Sequence, residues 1–135
     1  MNINYFGEKI IASVSRRTHG SMRLHGHEQL DEPVYAQREK FLTSLGIPPD
    51  KVVAAELIHG AFAEVVNKPL GHKVKIKNID TLITSTKGVA LSITNADCPT
   101  IFLYDPINRV IGISHAGGKE FLPVLLKNVL RASKG

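Results

Sequence analysis

Short apolar runs separated by turn residues fill the second half of the chain, and their length predicts strands rather than helices. Thr100 to Tyr104 and Val110 to Ser114 are rich in β-branched and aromatic residues, bounded by Pro99, Asp105-Pro106-Ile107-Asn108 and Gly117-Gly118. A hairpin through the Asp105 to Asn108 turn is the expectation. Upstream, Glu8 to Val14, Val52 to Ile58, Phe62 to Val66, Val89 to Thr94 and the run opened by Asp80 read as further strands. Lys73, Lys75 and Lys77 alternate with Val74 and Ile76, the pattern of an edge strand with one wet, basic face.

Helical spacing is found twice. Val34 to Leu45 follows Pro33 and precedes Gly46, a helix with a glycine stop. Phe121 to Arg131 carries apolar residues at helical spacing, and Pro123 fits only its first turn, so regular helix is expected from about Leu122. Loops between consecutive strands are too short for crossover helices. The expected fold is therefore α/β with a mixed, largely antiparallel sheet and flanking helices.

At 135 residues, without repeats, low-complexity tracts or linkers, the chain is expected to form one domain over 1–135. Such a domain buries roughly two thirds of its unfolded surface and can hold a core. A composition of 43% hydrophobic and 21% charged residues excludes disorder as the dominant state. One cysteine permits no internal disulfide, and the opening residues offer neither a basic nor an apolar leader segment. No apolar run reaches the length of a membrane span. A cytoplasmic location follows as the expectation, and it suits a free thiol.

The formal charge of +5 favours anionic partners. Much of the excess is local, at Lys68, Lys73, Lys75 and Lys77. No aromatic residues interleave there to stack bases, which argues against nucleic acid and for a solvated edge.

The chemistry gathers around Cys98 and His115. Cys98 opens one strand and His115 closes the next, so a hairpin makes them neighbours. A thiol and an imidazole at one sheet end can form a nucleophile and base pair, or supply two ligands to a metal such as zinc. A small buried cysteine and a hydrogen-bonded loop histidine are the plainer alternative. His59, at the end of the Val52 run and followed by Gly60, reads by itself as a turn or core histidine. His25 and His27 have no acidic or thiol partner at a recognisable metal spacing and read as solvated loop residues.

The segment Asn95-Ala96-Asp97-Cys98-Pro99-Thr100-Ile101, with Asp105-Pro106 after it and His115-Ala116-Gly117-Gly118-Lys119-Glu120 beyond, resembles the signature of the YfiH-type laccase-domain family. That family carries T-A-D-C-x-P-V, a D-P turn and H-A-G-W-R-G. Further matches are Leu57-Ile58-His59-Gly60 on the family's Q-V-H-G and Asp80-Thr81-Leu82-Ile83-Thr84 on its A-D-A-L-V-T. Val14 to Met22 matches its F-T-T-R-x-G-G-V-S string more loosely, with Arg17 on the Arg and Gly20 on the second Gly. Gln37-Arg38 falls where Asn-Arg is usual, and Arg38 reads as a helix-face ion-pair residue or a structural support. His19 stands for the first glycine, Asn95 for Thr, Thr100 for Pro, and Gly118-Lys119 for Trp-Arg. Family members usually continue for about as many residues again, so the chain looks like a short version.

The resemblance implies that His59, Cys98 and His115 bind zinc and leave a fourth position open, as catalytic zinc does. It implies phosphorolysis of a purine nucleoside (adenosine, inosine, guanosine or methylthioadenosine), with adenosine deamination as a second activity. Arg17 and Lys119 are then the cations for phosphate, and Asp97 a hydrogen-bond partner of a ligand imidazole or of the substrate. Asp80 orients a ligand or caps turn amides. A homo-oligomer would complete the site of a short chain. Two alternatives stand beside this reading. One is a weak or inactive regulatory relative that keeps the fold and the metal. The other is a copper-dependent polyphenol oxidoreductase, for which six His and one Cys are few.

Overall fold

The computed structural model describes residues 10–57, 62–96, 98–116 and 127, together with the backbone of 2–3. The chain groups into two compact units, residues 1–49 and 50–135.

In the first unit β1 (Asn2–Ile3) pairs antiparallel with β2 (Ala12–Ser13). The helix α1 spans Glu28–Ser44, so it begins upstream of the expected Val34 and contains Pro33. Asp31 explains the earlier start. Its carboxylate accepts the backbone N–H groups of His25 at 2.5 Å, Gly26 at 2.9 Å and His27 at 3.2 Å, which ties the preceding loop onto the first helical turn. These bonds, that from His25 foremost, hold the Asp31 pKa below its ordinary value. Pro33 removes one helical donor, and the helix runs through that position.

The helix stops where the glycine was expected. Gly46 has φ 74°, Gly46 N–H donates to the Thr43 carbonyl and Ile47 N–H to the Leu42 carbonyl, both at 3.0 Å. This is a Schellman ending, which needs a left-handed residue just past the helix.

Among the described residues the second unit holds seven strands in two sheets. They are β3 (Val52–Glu56), β4 (Ala63–Val65), β5 (Lys75–Lys77), β6 (Thr81–Thr84), β7 (Ala90–Ser92), β8 (Thr100–Asp105) and β9 (Val110–His115). One sheet has the order β5-β3-β7 and the other β4-β6-β9-β8. From β3 to β8 the chain alternates between them, one strand in each. The expected mixed topology is found, and this alternation supplies its parallel part. Strands β3 and β5, β3 and β7, and β4 and β6 pair in parallel. The steps from β3 to β5, β4 to β6 and β5 to β7 each pass through one strand of the opposite sheet, so no helix is required. The pairs β6–β9 and β8–β9 are antiparallel.

Val53 and Ala55 from one sheet, Leu82 and Ile113 from the other, and Val66 and Val89 from adjoining loops form a single core cluster. All four residues from Val52 to Ala55 are buried, so β3 is covered on both faces, as its unbroken apolar sequence requires. The basic run forms the edge strand β5, with Lys77 exposed and Lys75 half-buried. The predicted helix from Phe121 to Arg131 lies outside the described residues except for Lys127, which is helical and exposed.

Candidate functional site

The hairpin of β8 and β9 brings the cysteine and histidine segments together. Thr100 is the cross-strand partner of His115, and Ala116 N–H donates to the Pro99 carbonyl at 2.9 Å, which extends the pairing past the strand ends. Cys98 follows one residue further out. The Asn95 side-chain amide donates to the Cys98 carbonyl at 2.7 Å and fixes the bend that leads into β8. Cys98 is half-buried and free of any disulfide, whereas the His115 side chain is 2% exposed.

His115 also has a neighbour on its other side. The register of β6 and β9 pairs Thr81 with Ser114 and Leu82 with Ile113. One step beyond, His115 N–H donates to the Asp80 carbonyl at 2.8 Å. Cross-strand partners share a face, so the Asp80 and His115 side chains lie on the Leu82 and Ile113 side, toward the core. His115 Nδ1 stands 3.4 Å from Asp80 Oδ1, and the aspartate is fully buried. Asp80 and Thr81 N–H both donate to the Phe62 carbonyl at 3.1 Å, which anchors this end of β6. The Asp80 carboxylate thus faces the His115 imidazole.

On the N-terminal unit, Arg17 opens a single 3-10 turn, Arg17–His19, and is exposed. His19 Nδ1 accepts the Arg16 N–H at 2.7 Å, and its ring lies 4.8 Å from that of Phe41 on α1. The histidine that stands in the place of a glycine therefore pins the turn. Gly20 follows with φ 83°, packed against the Gln37 side chain. Arg38 donates from Nε at 3.0 Å, and also from Nη2, to the Met22 carbonyl. It thereby supports the loop structurally. Burial lowers its pKa, opposed by the neighbouring Tyr35 and Asp31.

His59, Asp97 and Lys119 lie outside the described residues. Among the described residues no group of three His, Cys, Asp or Glu side chains could hold a metal ion. His25 and His27 remain exposed loop residues, and His25 sits 3.4 Å from Asp31. Sequence reasoning missed the Thr81–Ser114 pair, whose hydroxyls are 2.6 Å apart and buried directly beside Asp80 and His115. Two hydroxyl residues in otherwise apolar runs were the signal.

Residues 11–134 match the family described as multi-copper polyphenol oxidoreductase laccase. The chain belongs to this family. Within it, the chain is 37% identical over 106 residues to purine nucleoside phosphorylase ORF3 of Streptomyces griseus, covering 77% of this chain and 43% of that protein. It is 31% identical over 106 residues to a purine nucleoside phosphorylase of Deinococcus radiodurans, covering 78% and 40%. Among solved structures it resembles YlmD from Geobacillus stearothermophilus, with TM-score 0.60 and 31% identity over 71% of this chain and 37% of that one. Protein NMB0706 of Neisseria meningitidis matches with TM-score 0.62 and 25% identity over 92% of this chain and 49% of that one. This laccase-family chain thus spans less than half the length of the curated relatives it matches. No described helix is long and apolar enough to cross a membrane.

Proposed function

We propose that this laccase-family chain acts as a zinc-dependent purine nucleoside phosphorylase. The observation behind this reading is the meeting of the Cys98 and His115 strand ends in a chain whose relative at 37% identity is named for that activity. A half-buried thiol and a buried imidazole are donors that zinc accepts, and His59 is the third donor of the set. Zinc held there would supply a Lewis acid at the reacting centre.

The rest falls to side chains of the chain itself. In phosphorolysis a phosphate oxygen bonds to the anomeric carbon as the glycosidic C–N bond breaks, and the purine departs with the electron pair and gains a proton. Arg17 is the guanidinium candidate for phosphate, able to donate two parallel hydrogen bonds. Lys119 would act as a point charge and Asp97 as an acceptor for an imidazole or a substrate hydroxyl. Adenosine deamination is the second activity proposed for the same centre.

The test is incubation of the protein with inosine and phosphate, with hypoxanthine and ribose 1-phosphate measured beside the bound-zinc stoichiometry. Zinc together with both products supports the reading. Zinc without product leaves a regulatory relative, and copper-dependent phenol oxidation without hypoxanthine would replace the phosphorylase reading by the oxidase one.

A further inference from the structure

We infer that Asp80 is a positioning residue that selects the tautomer of His115, placing the proton on Nδ1 and leaving the Nε2 lone pair as the donor atom. The inference deepens the metal-binding reading and rests on it only for the use to which Nε2 is put.

Strand register brings the two residues together. Asp80 lies just ahead of β6, and its carbonyl accepts the His115 N–H at 2.8 Å, so the two residues face each other across the strands. Their backbones are fixed on both sides, by the Phe62 carbonyl behind Asp80 and by the Thr100 partner across from His115. The side chains meet with Nδ1 3.4 Å from Oδ1, at 2% and 0% exposure. That separation exceeds ordinary N–H···O hydrogen-bond length. Proximity and charge therefore govern the pair.

A neutral imidazole protonates one nitrogen and keeps a lone pair on the other. If Nδ1 carried the lone pair, it would oppose a carboxylate oxygen with both groups sealed from water, where such repulsion is least screened. With the proton on Nδ1, the dipole of the ring points its positive end at the carboxylate. The same arrangement recurs where a carboxylate orients a metal-binding histidine, and it raises the basicity of the far nitrogen. Thr81 and Ser114 add rigidity one residue along, because their 2.6 Å hydroxyl bond ties β6 to β9 beside the pair.

The experiment uses the full chain, metal-free and labelled with 15N at histidine, in mildly alkaline buffer. Long-range 1H–15N correlations report the tautomer of each histidine, and His115→Gln assigns the signal. The expected result is Nδ1–H at His115 in the wild type and loss of that preference in Asp80→Ala. Chelator competition should show zinc affinity falling roughly 10–100-fold in Asp80→Ala, the range for an outer partner of a ligand. An Nε2–H tautomer in the wild type overturns the proposal, and so does an unchanged tautomer in a folded Asp80→Ala. Should Asp80→Ala fail to fold, the wild-type spectrum and Asp80→Asn decide in its place. A wild type that takes up no zinc but shows Nδ1–H defeats the metal reading while leaving the tautomer assignment standing.

Discussion

Thr81 Oγ1 and Ser114 Oγ share a 2.6 Å hydrogen bond in which neither residue retains solvent exposure. They sit on the face of β6 and β9 opposite Leu82 and Ile113. Thr81→Val is close in shape but strips the partner from a buried hydroxyl. It should lower stability by about 1–3 kcal/mol, whereas the double change with Ser114→Ala should cost less than the single one. Denaturant unfolding of the two variants checks the ordering.

Gly46→Ala tests the end of α1. A Cβ there meets nothing within 4 Å, so crowding is no factor, and φ of 74° is the whole obstacle. A loss of about 1–2 kcal/mol is expected from the left-handed backbone alone. A thermal melt with no decrease would contradict the Schellman ending.

Asp31 makes the loop and helix of the N-terminal unit sensitive to acid. Its pKa is lowered from 3.8, chiefly by the His25 N–H. A depressed carboxylate contributes stability that is complete above the unfolded value near 3.8 and lost as pH falls through the lower folded value. Asp31→Asn should therefore reduce stability at neutral pH and flatten its decline in that acid window. Urea midpoints recorded from pH 7 downward provide the comparison.

If the metal reading holds, Cys98→Ala and His115→Ala should each weaken zinc binding by at least about a hundredfold, beyond the loss expected for an outer partner. Arg17→Ala should keep the zinc and raise the phosphate KM roughly tenfold, as removal of a charge-assisted contact would. Metal stoichiometry and phosphate titration, carried out on the same preparations, separate ligand from substrate contacts.

Where the structure depends on local chemistry, the sequence was readable. The hairpin turn is held by Asp105 Oδ1, which accepts Ile107 N–H at 3.0 Å and Asn108 N–H at 3.2 Å, and such bonds follow from residue order. Asn108 also holds the Asp105 pKa down through its side-chain amide. Gly46 was readable for the same reason. The start of α1 was not, because Pro33 signals a beginning by rule while Asp31 gathers donors from a polar loop without periodicity.

The pairing of strands was legible only for β8 and β9, which adjoin in sequence. Asp80 and His115 meet through strands that are not consecutive, so their contact depended on a register that no run of residues declares. Cys98 was within reach of sequence reasoning because its route to His115 passes through one short turn.

The alternation of strands between the two sheets has a consequence for how this unit is made. β3 cannot acquire both its neighbours until the chain has reached β7, and the intervening chain includes β4 and β6 of the other sheet. The strands of the two layers interleave along the chain, so most pairings join distant segments and the unit should fold slowly, as topologies dominated by distant contacts do. Damage to one layer is then felt in both.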